Sequence, residues 1–419
     1  MIIGKRIRYL RQKNNYKLEN LCKGIISNTH LSNIEAGRFI PSKDILILLS
    51  RKFKVVENYL VDFDTLDKGV ESLIDKLELS ILYNNNDVEE LIHGIDKTCL
   101  SNVTQELKFK LLQFSYLQKK GYLKEAKNID SLILTYIEDI QVNNIDPHLA
   151  RLYYYYLGLK AYFNNCLEES YHNFTKLTEL TSNNIVKAPY LYNLALITKK
   201  QYKYLEAISY SKEALNIYLT TNQDWEKIGE TYNFIGATYW DLNKMEEALG
   251  FLGKAKQIQE LINNQELRAR IYHNLGLVYK ASQKFEIAFK YFYEAIDIKK
   301  KHNYNPLISY RALIDLHLKD NNLELVDQEL RVAKLLVRRE LDKYLLLAAH
   351  SDFLEQKGDL ISSISELEEC ISFLEEHKNT YHLKNLYNKL GDRYFKLKKY
   401  KLAATNYKKE LNLSKGKRH

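Results

Sequence analysis

Four asparagines stand directly behind an aromatic or histidine side chain, in Tyr192-Asn193, Tyr232-Asn233, His273-Asn274 and Tyr387-Asn388. A carboxamide offers both a donor and an acceptor, so a row of them on neighbouring helices can hold an extended peptide by its backbone N–H and C=O groups. Such a grip is blind to the peptide's side chains, and selectivity needs anchors. Trp240 suits an apolar pocket, while Lys199 and Lys280 suit a terminal carboxylate or an acidic side chain. The same asparagines have a competing use, bonding from helix to helix to fix repeat geometry. No conventional catalytic set accompanies them: the chain lacks a phosphate loop, a zinc-binding His-Glu-x-x-His and a nucleophile elbow, and its eleven histidines are scattered. Enzyme activity is not expected.

These residues need a scaffold that presents one position repeatedly, and the chain contains one. Gly236, Tyr239, Ala248, Leu252 and Ala255 recur with the same spacing as Gly276, Tyr279, Ala288, Phe292 and Ala295. Small residues at fixed offsets let two amphipathic helices pack closely, and each pair then buries its apolar face against the next. Further copies register on Gly158, Ala195, Ile314, Ser351 and Gly391, with weaker ones near Leu79 and Phe114. The pattern resembles the tetratricopeptide repeat with longer helices. It implies an all-α chain whose larger part is a right-handed α-solenoid of about nine such pairs. Asp146-Pro147 and Asn305-Pro306 read as helix starts, as does Pro189, and the tyrosines at 153–156 with Tyr162 read as packing between pairs.

Composition separates this scaffold from what precedes it. Of the net charge of +9 in 419 residues, the first sixty carry twelve Lys and Arg against four Asp and Glu, a balance of +8. A small basic module on a nearly neutral scaffold points to polyanion binding localised there. Within it, Ile3, Ile7 and Leu10 mark one face of a first helix whose other side carries Lys5, Arg6, Arg8 and Arg11. Leu18–Lys23 and Asn28–Ala36 read as two short helices joined by a tight turn, and Ser42 opens a fourth helix with Ile45, Leu48, Leu49 and Phe53 on its buried side. The domains are therefore expected at 1–60 for the head, 61–80 for an acidic joint and 81–415 for the repeats, with a short basic tail beyond. No apolar run approaches the ~20 residues needed to span a bilayer. Cys22, Cys99, Cys166 and Cys370 share no metal-ligand spacing. Neither a disulfide, a metal nor a cofactor is expected, and a reducing cytoplasm is the natural compartment.

The run Leu31-Ser32-Asn33-Ile34-Glu35-Ala36-Gly37 followed by Pro41-Ser42 resembles the Cro/repressor type of helix-turn-helix. That resemblance puts Asn28, Thr29 and Asn33 at the base-reading positions of a recognition helix, with His30 and Ser32 in support and Arg38 and Lys43 holding phosphates. It assigns Arg11 and Glu35 to a structural ion pair. A Cro/repressor-like head joined to degenerate tetratricopeptide-like pairs resembles the RRNPP group of cytoplasmic peptide-sensing regulators, most closely its PlcR- and NprR-like members. The group implies a homodimeric, quorum-sensing transcription regulator on pseudo-palindromic double-stranded DNA. A short re-imported signalling peptide would bind in the groove of the repeats, where Asn193, Asn233 and Asn274 match the family's peptide-holding asparagines in character. It also implies a rival role, sequestering or dephosphorylating a response regulator under control of the same peptide.

Overall fold

The computed structural model describes residues 2–98, 100–137, 146–222 and 224–415. Cys99 and the tail beyond Lys415 lie outside the described residues. Among the described residues twenty-three α-helices and no strand occur. The first five form the head: α1 (Ile2–Lys13), α2 (Leu18–Cys22), α3 (Asn28–Glu35), α4 (Lys43–Phe53) and α5 (Glu57–Val61). The other eighteen are nine antiparallel pairs, matching the expected count. They are α6 (Lys68–Tyr83) with α7 (Val88–Lys97), α8 (Val103–Lys120) with α9 (Leu123–Ile137), α10 (Pro147–Phe163) with α11 (Leu167–Glu179), and α12 (Asn184–Lys200) with α13 (Tyr204–Ile217). Then follow α14 (Trp225–Asp241) with α15 (Met245–Ile262), α16 (Gln265–Ala281) with α17 (Phe285–Lys301), α18 (Leu307–Lys319) with α19 (Leu323–Leu335), α20 (Glu340–Gln356) with α21 (Leu360–Glu376), and α22 (Thr380–Lys396) with α23 (Tyr400–Lys415).

The small residues act as the repeat pattern requires. A Cβ added at Gly276 would fall 2.5 Å from the ring of Phe292, and one at Gly391 would fall 2.5 Å from that of Tyr407. Only hydrogen at these positions lets the second helix of the pair come so close. A second regularity fixes the register. The turn inside every pair carries one residue in the left-handed region: Asn84, Gly121, Asn165, Tyr202, Asn243, Gln283, Asn321, Gly358 and Lys398. From Phe114 onward this residue lies at one constant offset behind the register position of its repeat, which shows that the degenerate copy at Phe114 is a true repeat.

The chain divides into two compact units, residues 1–164 with 168–189, and residues 165–167 with 190–419. In the first, one continuous apolar core runs from Ile3, Ile7, Leu31 and Ile34 of the head through Ile74 and Leu77 of α6 to Phe109, Phe114, Tyr136 and Tyr156. Residues 61–80, expected as a joint, carry most of α6, whose Ile74 and Leu77 are fully buried. Arg6 corrects the expectation of a surface cation. It is fully buried on α1, donates to Glu106 of α8 at 2.6 Å, and also reaches the carbonyl of Leu100. Tyr59 of α5 and Tyr136 of α9 donate to the same carboxylate at 2.7 and 3.0 Å. Burial opposes the Arg6 charge, and the Glu106 carboxylate outweighs it. Leu48 is likewise corrected: it is exposed, and Leu46 takes its place in the core. Phe114 meets Tyr156 edge-on at 4.7 Å, the packing role read for these tyrosines.

Asp146 caps α10 by accepting from the Leu149 amide at 2.8 Å, as expected ahead of Pro147. Pro189 does not start a helix. It lies inside α12, where it cannot donate to the carbonyl four residues back. That carbonyl, on Ile185, accepts instead from the Tyr83 hydroxyl at 2.8 Å.

Candidate nucleic-acid interface and repeat-domain face

The head builds its candidate interface on α3. Leu31 and Ile34 are fully buried, which turns Asn28, Thr29 and Ser32 to the outside. Ser27 caps the helix, its hydroxyl accepting from the His30 amide at 3.2 Å, so exposed Asn28 and Thr29 sit on a fixed first turn. Asn33 is half-buried and its carboxamide oxygen accepts from Arg38 at 3.1 Å. His30 lies against Phe39, ring centroids 5.8 Å apart. Lys43 is exposed at the first position of α4. Arg11 donates to both oxygens of Glu35, at 2.6 and 2.8 Å, which clamps α1 to the end of α3. That bonding holds the Arg11 guanidinium above its ordinary pKa. Two residues that sequence reasoning passed over flank this surface: Phe39 and Ile40, exposed apolar side chains on the loop between α3 and α4. Their signal was an apolar dipeptide between two turn residues.

In the second unit, the repeat-domain candidates lie on the first helices of their pairs, and most are already engaged. Asn274 donates to Asn233 at 2.9 Å, the helix-to-helix bond of the competing use. Lys199 pairs with Asp241 at 2.8 Å and lies over the Phe234 ring. Lys280 pairs with Asp315, and Asn388 donates to Glu410 at 3.1 Å. Asn193 is half-buried on α12, and Trp240 is half-buried against the cluster around Ala248 and Leu252. Asn233 and Asn274 are thus brought together, while each lysine is drawn to an acid of another pair.

Two sets of residues on these helices were missed. Arg270 of α16 and Lys227 of α14 hold Glu230 between them at 2.6 and 3.0 Å. Burial would raise the Glu230 pKa, and these two cations bring it below the ordinary value. Arg311 of α18 occupies the offset that Asn233 and Asn388 occupy in their repeats. Its Nε is buried without a hydrogen-bond partner, and burial lowers its pKa despite the fields of Asp342 and Asp315. The repeat offset itself could have found Arg311, had it been read for charge as well as for asparagine.

A metal has one geometric candidate among the described residues, Glu71, Asp75 and His148 of the first unit. The Lys108 ammonium already sits 2.5 Å from Glu71, and Arg151 and His148 share Glu78. The arrangement is a charge network neutralised by protein cations. No described helix is long and apolar enough to cross a membrane.

Comparison with known proteins agrees with this geometry. Residues 7–60 match a helix-turn-helix family, and residues 186–260 and 227–301 match a tetratricopeptide repeat family. The chain is 26% identical over 287 residues to the transcriptional activator NprA of Geobacillus stearothermophilus, 67% of each chain. Its fold is similar to that of a Rap protein complexed with competence and sporulation factor, TM-score 0.69 at 18% identity, over 84% of this chain and 99% of that one. It is also similar to NprR in complex with its cognate peptide NprX, TM-score 0.64 at 19% identity, over 83% of this chain and 100% of that one.

Proposed function

We propose, because the chain belongs to the RRNPP family of regulators that join a helix-turn-helix head to tetratricopeptide repeats, that it is a transcription regulator switched by a short peptide. It acts in the cytoplasm as a homodimer, each α3 entering the major groove of one half of a pseudo-palindromic site. The observation that carries this is the division of labour in the head. Arg6 and Arg11 are spent on internal ion pairs, whereas Asn28, Thr29 and Ser32 on the capped helix, and Arg38 and Lys43 beside it, face outward. Asn28 can pair with adenine, Thr29 can offer its methyl to thymine, and Arg38 and Lys43 can hold phosphates.

The peptide lies along the first helices of the repeats, where Asn193, Asn233, Asn274 and Asn388 supply backbone bonds, Trp240 an apolar contact and Lys199, Lys280 and Arg311 positive charge. A peptide that favours one arrangement of the repeats shifts the dimer toward it, by no more than its differential affinity for the two arrangements. Fluorescence anisotropy of labelled DNA from upstream of the gene tests this, with and without peptides encoded by a neighbouring small reading frame. DNA affinity should change with one peptide, and Arg311→Ala should abolish the response while leaving peptide-free DNA binding intact. DNA binding indifferent to every peptide would refute the switch. Capture of a response regulator by a protein that binds no DNA would replace it with the interaction role.

A further inference from the structure

Lys299 of α17 is 6% exposed, yet it has no carboxylate within ion-pair distance among the described residues. Its one hydrogen-bond partner there is the Ser309 hydroxyl of α18, at 2.9 Å. Ser309 is fully buried and stands 3.3 Å from Nδ1 of His273. Burial, with the fields of Lys299, Lys280 and Arg311, pushes the His273 pKa down to about 3, so its ring is neutral and Nδ1 can accept. The chain of donors therefore runs one way, from the Lys299 ammonium to Ser309 and from Ser309 to His273. One of the three N–H groups of Lys299 is used, and two remain.

Lys299 also borders a cavity of about 380 Å³. Arg270, Arg338, Asn303, Tyr304 and Glu266 line it together with Lys299. Arg270 binds Glu230 through its terminal nitrogen, while its Nε is buried without a partner. Arg338 is exposed at the rim. Glu266 is the one carboxylate in the lining, and it makes no ion pair with Lys299. Glu230 neutralises Arg270, which leaves Lys299 and Arg338 facing the single carboxylate of Glu266, and Lys299 is buried with a hydroxyl as its side-chain partner, so a local charge remains that folding alone does not neutralise.

We propose that this cavity is an oxyanion site, in which Lys299, Arg270 and Arg338 hold a phosphate group, either free or carried on a small molecule. Phosphate suits the lining better than a single carboxylate because its oxygens can meet an ammonium and two guanidinium groups together. The cavity is larger than inorganic phosphate needs, and Tyr304 with Asn303 borders the additional space. Burial and Arg270 hold the Lys299 pKa at about 8, so the ammonium is charged at neutral pH and an anion would stabilise it further. The site is independent of the DNA and peptide reading.

Thermal melting and calorimetry of the full chain with sodium phosphate, and separately with glycerol 3-phosphate, test it against sodium chloride at equal ionic strength. The expected result is a saturable rise in Tm above the chloride control. Lys299→Met and Arg338→Gln should each weaken the apparent affinity about tenfold or more. Lys299→Met should also melt higher than the parent without any anion, because it removes an uncompensated buried charge, so its loss of binding could not be put down to misfolding. Tighter binding of glycerol 3-phosphate than of inorganic phosphate would assign the site to a phosphorylated small molecule, and equal binding to free phosphate. A rise no larger than that with chloride, or one undiminished in Lys299→Met, would overturn the proposal.

Discussion

Gly4 offers a direct way to separate the recognition helix from the rest of the head. It lies on α1, where an added Cβ would fall 2.0 Å from the carbonyl oxygen of Ile34 and 3.0 Å from its carbon. Both atoms belong to the backbone of α3, so no side-chain rotation can relieve the contact. The carbonyl would have to retreat by about 1 Å or more to reach van der Waals distance. Helix α1 cannot easily yield instead, because Arg6 is tied to Glu106. Gly4→Ala should therefore cost roughly 1–3 kcal/mol of stability, the usual range for overpacking. It should also displace Asn28, Thr29 and Ser32 from the base edges they are proposed to read, where good contacts are worth about 1–3 kcal/mol each. Specific affinity should fall on the order of tenfold to a hundredfold, while salt-dependent binding to random DNA, which rests on outward cations, should change little. Anisotropy titrations on a selected site and on a scrambled duplex, at two salt concentrations, measure both terms. Gly94→Ala is the matched control. It lies on α7 with no atom within 4 Å of the new Cβ, so it should gain about 0.5–1 kcal/mol. Unchanged specific affinity and unchanged melting in Gly4→Ala would refute the reasoning.

Three further outcomes follow from pairings inside the two units. Glu106→Gln leaves the fully buried Arg6 charge without its counter-ion and should destabilise the first unit by about 3–5 kcal/mol, seen as a lower urea midpoint. Tyr83→Phe removes the hydroxyl that serves the Ile185 carbonyl beside Pro189; chemical denaturation should show a loss of about 1–2 kcal/mol, and an unchanged midpoint would mean that water replaces it. His273 stays neutral in the folded chain down to about pH 3, whereas unfolded it binds a proton below its ordinary pKa of 6.5. Between these values the unfolded state carries the extra proton, so stability falls as pH drops, by on the order of 4 kcal/mol across the window. His273→Gln should flatten that slope between pH 4 and 6.5 in urea titrations, an interval set by the same two pKa values.

The repeat architecture was legible because close approach has only a few chemical solutions. Gly236, Gly276 and Gly391 each stand where a Cβ would strike the partner helix, so these three repeats share glycine at the point of close approach, although Phe114 and Ile314 hold the same register position in others. The helix-turn-helix was legible for a similar reason, since Leu31 and Ile34 must face inward and Gly37 must leave the helix. Long-range pairings left no such local trace. Arg6 continues the basic side of an amphipathic pattern, and nothing near it announces Glu106 one hundred residues on. Pro189 follows the grammar of a helix start, and the hydroxyl that serves the carbonyl it cannot reach belongs to Tyr83, far back in the chain. The partners of Lys199 and Lys280, Asp241 and Asp315, lie on the first helix of the next pair, visible only after the repeats have been stacked.

Those partners change the physics expected of the proposed peptide groove. An array of free carboxamides and ammonium groups would bind any extended chain, and a cell holds many. Here Asn233 is bonded to Asn274, Lys199 to Asp241, Lys280 to Asp315 and Asn388 to Glu410. A ligand must share or displace these bonds, so a peptide that cannot replace each one leaves a polar group unpaired and is rejected. On the proposed reading, preformed pairs would lower general affinity and raise discrimination. They also connect recognition to the scaffold, because three of the four join successive first helices of the repeats. Arg311 is the exception, with its Nε unsatisfied before any ligand arrives. Among the described residues Arg311 makes no ion pair, so an acidic group drawn to its charge would break none, which makes it the proposed first anchor. Exchange of the paired side chains would then follow, and with it any change in spacing between repeats. A peptide whose acidic residue is replaced by its amide should lose affinity mainly through slower association, whereas Asn233→Ala should mainly speed dissociation. Stopped-flow measurement of both rates would expose the order, and the opposite pattern would place Asn233 before Arg311.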